Sequence, residues 1–303
     1  MRFIDINNQY LMDNQRAPKL REPLSFWPSE ASAVVENEIW GSCHRQVYWK
    51  AKGVPYSNST DLLMIRKAIM GKQFEIAEID IMTKNPAYSE IMPNYKIKVN
   101  ITPEILISGE LDTIAKKQGK YKIIEFKSGG GKYYRSDVFG TGEIWGAPKG
   151  EAFPKEYYLL QVMLYLDLVK RHPELKQYDL STAEIICLDR EKCGTFSHEI
   201  QLDESGYPIV NGALFPKLTI HDIYDRFKKA YYAIVNDQLP FGDFNSYISM
   251  EEAHDMLIDK KIKKWQYERW DRIGYGCDIQ CTFCNYVHRC QHANGKRASF
   301  KEL

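Results

Sequence analysis

ILISGELDTIAKKQGKYKIIEFKS, residues 105–128, alternates apolar and polar side chains in the manner of two strands joined by a tight turn at Lys117–Gln118–Gly119–Lys120. A period of two puts Glu125 and Lys127 on one face of the second strand. Asp112, late in the first strand after Ser108–Gly109, reaches the same spot from an adjacent antiparallel position. The apolar flanks of Ile123–Ile124–Glu125–Phe126 bury that strand, and a Glu and a Lys on a buried strand cost free energy unless partnered or used. Two carboxylates plus the backbone carbonyl of Phe126 make a hard-oxygen site suited to Mg²⁺ or Mn²⁺. An ammonium at Lys127 would lie beside it, where it can orient a water and offset charge building on a phosphate.

Outward from this hairpin the pattern is mixed. Upstream, Leu62, Ile65, Ile69, Ile76 and Ile79 recur at helical spacing behind a Ser59 or Thr60 cap, which predicts a helix to about Lys84. Glu75 follows Gly71 by four on that helix and could add a third carboxylate. A further strand is expected at 96–101, and residues 128–150, with seven Gly, read as a mobile loop. After Pro154 comes a clear helix, EYYLLQVMLYLDLVKRH, where Gln161 and Tyr165 share a face at i and i+4. Strands fit 181–189 and 194–202, and helices fit 219–238 and 249–271. Residues 1–30 read as an arm or irregular lead-in, followed by a helix over 29–50 with a break near Gly41 and Ser42. The expected fold class is mixed α/β: a central mixed sheet flanked by helices. The expected division is an arm at 1–40, a core at 41–240 and a helical C-terminal region at 241–303.

The chain has 303 residues, 44% hydrophobic and 27% charged, so global disorder is excluded. With 41 Lys+Arg against 40 Asp+Glu the net charge is +1, which announces no nucleic-acid binder, although patches matter more than sums. The segment from residue 260 onward is locally basic. No apolar run suits a membrane span and the first residues lack a secretory signal, so a soluble cytoplasmic protein is expected. In that compartment the seven Cys stay reduced, favouring metal or cluster ligation over disulfides.

Cys277, Cys281, Cys284 and Cys290 follow the spacing C-x3-C-x2-C-x5-C. A four-thiolate Zn²⁺ site from these alone is one reading. Another draws on Cys43, which opens the string Cys43–His44–Arg45–Gln46–Val47–Tyr48 near the other end of the chain. Cys187 and Cys193 read as buried small hydrophobes.

Taken in order, Gly71–Lys72–Gln73–Phe74–Glu75, Gly109–Glu110–Leu111–Asp112, Glu125–Phe126–Lys127 and Gln161–Val162–Met163–Leu164–Tyr165 resemble the motifs of the PD-(D/E)XK nuclease superfamily in its RecB-like branch. The resemblance implies Asp112 and Glu125 as metal ligands, Lys127 as the catalytic lysine, and Gln161 and Tyr165 as substrate-side residues. Many relatives carry His where Glu75 stands; Glu still suits a hard metal. The iron–sulfur members, such as CRISPR-associated exonucleases and the AddB type, place one Cys before the core and C-x2-C-x5-C after it. That resemblance implies Cys43, Cys281, Cys284 and Cys290 around a [4Fe–4S] cluster, with Cys277 to spare.

It also implies a metal-dependent deoxyribonuclease acting from an end of single-stranded DNA. A helicase, recombination or CRISPR-adaptation partner would fit such a role. Lys132, Tyr133, Tyr134, Arg135, Trp145 and Lys149 in the Gly-rich loop, and the Lys260–Arg272 segment with Trp265 and Trp270, are candidate strand contacts. The competing expectations are a non-catalytic DNA- or helicase-binding module on the same fold, and a zinc-stabilised regulator.

Overall fold

The computed structural model describes residues 3–13, 24–57, 62–140, 151–282 and 284–292. Its elements in chain order begin with α1 (Phe3–Asp13), β1 (Ser25–Phe26), a 3-10 turn (Pro28–Glu30), β2 (Ser32–Val35), β3 (Glu38–Gly41), α2 (His44–Ala51) and α3 (Leu62–Lys84). Then come β4 (Tyr88–Asn100), β5 (Leu106–Lys117), β6 (Lys120–Gly129), α4 (Lys132–Tyr134), a π-helical turn (Arg135–Phe139), α5 (Glu156–Arg171), β7 (Thr182–Asp189) and β8 (Thr195–Leu202). The chain continues with β9 (Pro208–Val210), β10 (Ala213–Leu214), α6 (Ile220–Val235), α7 (Met250–Ile258), α8 (Lys264–Ile273), α9 (Ile279–Thr282) and α10 (Val287–His292). Two compact units result: Glu22–Ser42 with Arg66–Tyr231, and Met1–Arg21 with Cys43–Ile65 and Tyr232–Leu303.

The first unit is a mixed sheet in the order β4, β5, β6, β7, β8, β9, β10. β6 and β7 run parallel with α5 lying between them in the chain, as a crossover requires. The β5–β6 turn places Gln118 (φ 52°) and Gly119 (φ 80°) in the left-handed region, the geometry a two-residue hairpin needs. β4 is an edge strand, so its Pro93 removes no inner ladder bond.

The far edge of β5 is interrupted. β6 pairs with Thr113–Lys117 and the short parallel β1 pairs with Leu106–Ile107. Among the described residues the stretch between, 108–112, has no ladder partner on that edge.

Alternation sorts β6 onto two faces. Ile124 and Phe126 join Met82, Ala115, Phe74 and Ile79 in an apolar cluster that seats α3 on the sheet. Phe74 meets Phe126 edge-on at 5.9 Å. Ile123 and Glu125 take the opposite face, toward α5. That helix is apolar nearly all round: Leu159, Leu160, Val162, Met163, Leu164 and Leu166 are fully buried. Each such side chain contributes about 1.5–3 kcal/mol of burial, which holds α5 firmly enough to carry a buried amide at Gln161. Gly41 permits the close approach behind it; a Cβ there would lie 2.1 Å from the Ala31 carbonyl and 2.9 Å from Leu160.

The second unit joins α2 to the C-terminal helices. α7 and α8 close over Ile248, Ala253, Ile262 and Trp270. Tyr286 is fully buried, with ring centroids of Trp49 and Tyr56 each 5.4 Å away and its hydroxyl donating to the Val54 carbonyl at 3.1 Å. This anchors the cysteine-bearing segment on the chain around α2. No helix among the described residues is long and apolar enough to cross a membrane.

Three sequence expectations are corrected. Of the helix expected over 29–50, the part before its break near Gly41 is a 3-10 turn and a hairpin, β2–β3, while the part after it is helical, α2; Glu36 and Asn37 take positive φ and the Ala33–Val35 and Ile39–Trp40 runs favour strand. Residues 1–30 are not irregular throughout: Phe3–Asp13 is helical and Phe26 is fully buried in β1. The helix expected over 249–271 breaks at Lys260, whose φ is 57°.

Candidate active site

The interruption along β5 explains how the acidic groups arise. The last β5–β6 pair is Thr113↔Ile124; the next would have been Asp112 with Glu125. Instead the strands part, and the Phe126 amide donates to Asp112 Oδ2 at 2.8 Å. A carboxylate thereby takes the place of a main-chain acceptor. Within the same unpaired stretch the Glu110 carbonyl accepts from the Tyr165 hydroxyl at 2.8 Å. Gly109 lies where Pro28 presses closest; a Cβ would meet Pro28 Cδ at 2.7 Å.

Glu125 is 2% exposed. Its Oε1 accepts from Lys127 Nζ at 2.5 Å and from Gln161 Nε2 at 2.9 Å, while Oε2 is buried without a hydrogen-bond partner. Gln161 Oε1 accepts from Lys127 at 3.1 Å, and its Nε2 also donates to Tyr165 at 3.2 Å. This amide orientation puts oxygen toward ammonium and nitrogen toward carboxylate; the flipped one would oppose like partners. Lys127 is held on a further side by the Tyr158 ring, 5.4 Å from its Nζ. Glu75, nearly buried on α3, is bonded to Lys72 one turn earlier.

Burial, then the charge of Glu125, pushes the Asp112 carboxyl up to about 8 against the pull of Lys127 and the Phe126 amide. Burial likewise pushes Glu125 up, with Lys127 and Gln161 opposing and Glu75 adding repulsion. At Lys127 burial pulls the ammonium down, but Glu125 and Asp112 outweigh it. Lys72 behaves the same way, with Glu75, Asp112 and Glu110 prevailing over burial. Three carboxylates thus face two ammoniums, and one buried oxygen is unsatisfied. A hard divalent cation fits that donor set. Among the described residues no group of three or more His, Cys, Asp or Glu is arranged to hold a metal ion. Lys72 and Lys127 here draw Glu75 and Glu125 onto themselves.

Glu75, Asp112, Glu125, Lys127, Gln161 and Tyr165 are therefore brought together, in one unit. Phe126 contributes its backbone here while its ring faces α3. Gln161 and Tyr165 are turned inward: the amide orients Glu125 and Lys127, and Tyr165, 2% exposed, braces β5. Lys72 and Tyr158 escaped the sequence reading. The i, i+3 spacing of Lys72 and Glu75 was the available signal; nothing in the sequence marks Tyr158 apart from its neighbours on α5.

The cysteines divide into two kinds. Cys43 precedes α2, whose first amide, His44 N–H, donates to the buried Asp243 at 2.6 Å. Burial, Asp243 and Cys290 push the Cys43 thiol up to about 12. Cys281 is raised by burial and by the neighbouring Cys43, Cys284 and Cys290 thiols. Arg45 Nη1 donates to Cys290 Sγ at 3.5 Å, and the Tyr286 amide to Cys284 Sγ at 3.4 Å. Cys277 instead faces Thr282 Oγ1 at 3.5 Å, with Asp278 and Arg269 nearby. Cys187 is fully buried as expected, but Cys193 is exposed; its turn position (φ 56°) points it outward.

The expected strand contacts also separate. Tyr134 and Arg135 are buried, the latter bonded to Glu191 at 2.6 Å and Asp189 at 3.4 Å, so they belong to the fold. Tyr133 is 64% exposed with Lys132 over its ring. Trp145 and Lys149 lie outside the described residues. Trp270 is core, whereas Trp265 is exposed; Lys261 and Lys264 pair locally with Asp259 and Glu268.

A solved structure titled "Crystal structure of SSO0001" is similar to this chain at 12% identity, over 80% of this chain and 89% of that one, with a TM-score of 0.43. No curated protein sequence matches significantly. The family description that does match, "PD-(D/E)XK nuclease superfamily", spans residues 35–291 and so takes in the parted strands, their carboxylates and Lys127. By that span the chain belongs to the PD-(D/E)XK nuclease superfamily.

Proposed function

We propose that the protein is a metal-dependent deoxyribonuclease of the RecB-like branch that hydrolyses phosphodiester bonds from an end of single-stranded DNA. The observation that carries this is the unbalanced acidic pair: Glu125 is buried beside the half-buried Asp112, and Glu125 Oε2 has no hydrogen-bond partner. Such a pair is costly unless a cation completes it. Asp112, Glu125, the Phe126 carbonyl and Glu75 would hold Mg²⁺ or Mn²⁺. When bound, the ion supplies Lewis-acid polarisation of the scissile phosphate and lowers the pKa of the attacking water.

The chain's own groups do the rest. Lys127, kept protonated by Glu125 and Asp112, offers N–H donors to the attacking water and to the phosphate oxygens. Gln161 keeps Lys127 and Glu125 in register, and the Tyr165 bond keeps β5 from closing onto β6.

Cys43, Cys281, Cys284 and Cys290 would bind a [4Fe–4S] cluster within a C-terminal region, residues 241–303, supplemented by Cys43. The mutual influence of these thiols and the N–H donors on Cys290 and Cys284 support that set; Cys277 has other neighbours. Partners of a helicase, recombination or CRISPR-adaptation kind fit this reading.

The test is digestion of end-labelled single strands with Mn²⁺. Wild type should degrade them, and Lys127→Ala should be slower by roughly 10²–10³-fold, the range for losing one preorganised donor. An inert wild type, or a fully active Lys127→Ala, overturns the assignment.

A further inference from the structure

Tyr157 is the exposed one among the apolar and aromatic side chains of α5. Tyr158 through Leu166 are buried, whereas Tyr157, at the start of the helix, is 50% exposed. Its inner side is fixed. The ring centroid lies 4.4 Å from that of Tyr158 at 68°, and the Tyr158 ring in turn carries the Lys127 ammonium at 5.4 Å. Its hydroxyl lies near that of Tyr158 and is close enough to act electrostatically on Lys127. The remaining ring surface faces solvent, next to the lysine assigned to the scissile phosphate.

A rigid aromatic face beside a cation is the arrangement that binds single strands. The π-face accepts any base, and the cation accepts the backbone. A base inside a duplex is already stacked on both sides, so the free face is offered by an unpaired base.

We propose that Tyr157 is a substrate-binding residue that stacks on an unpaired base of a single-stranded nucleic acid whose backbone lies at Lys127. The inference rests on the nuclease reading and adds the residue that engages the bases of the unpaired strand. Truncating Tyr157 leaves the fold intact, because half of its surface is exposed and Tyr158 fills the buried position below.

The test is fluorescence anisotropy of a labelled oligonucleotide, with Ca²⁺ in place of Mn²⁺. Tyr157→Ala should bind the single strand about five- to 150-fold more weakly, the range for losing one base–aromatic stack, and Tyr157→Phe should stay within about twofold of wild type. An abasic nucleotide is then moved along the strand. At one position it should weaken wild type by that same factor and leave Tyr157→Ala unchanged, because the stacking partner is already gone. A fully paired duplex should not distinguish the two proteins. Equal single-strand affinities for wild type and Tyr157→Ala, or an abasic profile identical in both, overturn the proposal. Failure of the nuclease reading shows separately, as a wild type that binds the strand and never cleaves it with Mn²⁺.

Discussion

Replacing Asp112 with Asn should make the metal-free protein more stable and the metal response disappear. Asn keeps an oxygen in the place of Oδ2, so the 2.8 Å bond from the Phe126 amide survives. What it removes is a carboxyl that burial and Glu125 hold up at about 8. An unfolded chain ionises Asp near pH 3.9. The folded, metal-free state therefore binds more protons across the window between about pH 4 and pH 8, and its stability falls as pH rises through that window. At pH 7 the shift spans about three pH units, which at about 1.4 kcal/mol each sets an upper bound of about 4 kcal/mol. The Asn NH2 that replaces the second oxygen there needs a new acceptor, and its desolvation returns about 1–3 kcal/mol. The net gain is about 1–3 kcal/mol, or roughly 2–10 °C in melting temperature. The assay is thermal denaturation in EDTA at about pH 5 and about pH 8, repeated with Mn²⁺. The gain should be small at the lower pH and full at the higher, and Mn²⁺ should stabilise only the wild type. An Asp112→Asn protein that is less stable than wild type at the higher pH, or that Mn²⁺ still stabilises equally, would refute the reasoning.

Gly109→Ala should cost about 1–3 kcal/mol by overpacking, since the added Cβ meets the rigid Pro28 ring at 2.7 Å; urea midpoints check this. Tyr165→Phe leaves the Glu110 carbonyl without its donor, and should lower stability by about 1–2 kcal/mol while slowing cleavage less than Lys127→Ala does. Iron and acid-labile sulfide measured on anaerobically purified protein should vanish in Cys281→Ser and Cys43→Ser but persist in Cys277→Ser. Loss with Cys277→Ser alone would move the fourth ligand to Cys277, and zinc without sulfide in wild type would replace the cluster altogether.

Much of the sheet was legible because period-two alternation is a local property. The β5–β6 hairpin, its two-residue turn and the shared side of Glu125 and Lys127 follow from residues 105–128 alone. The same local logic failed where left-handed residues intervene. Glu36–Asn37 folds back part of an expected helix into β2–β3, and Lys260 splits another, because Glu and Lys do not announce positive φ and Asn does so more weakly than Gly. Exposure was equally opaque: Tyr133 and Tyr134 are adjacent, yet one is exposed and the other buried.

From its sequence alone, then, this chain was committed to an alternating α/β order and to carrying acidic and basic groups on neighbouring strands, since residue spacing and backbone geometry suffice for that. Where those groups meet was a tertiary decision. β6 leaves β5 after five pairs, β1 takes over farther along, and Tyr165 and the Phe126 amide each bond a group in the gap. Lys72, Tyr158 and the bare face of Tyr157 enter the site only because α3 and α5 pack on opposite faces of that sheet. Burial then raises the free energy of the carboxylate charges, and no sequence pattern records burial of that kind, because it depends on segments far apart in the chain.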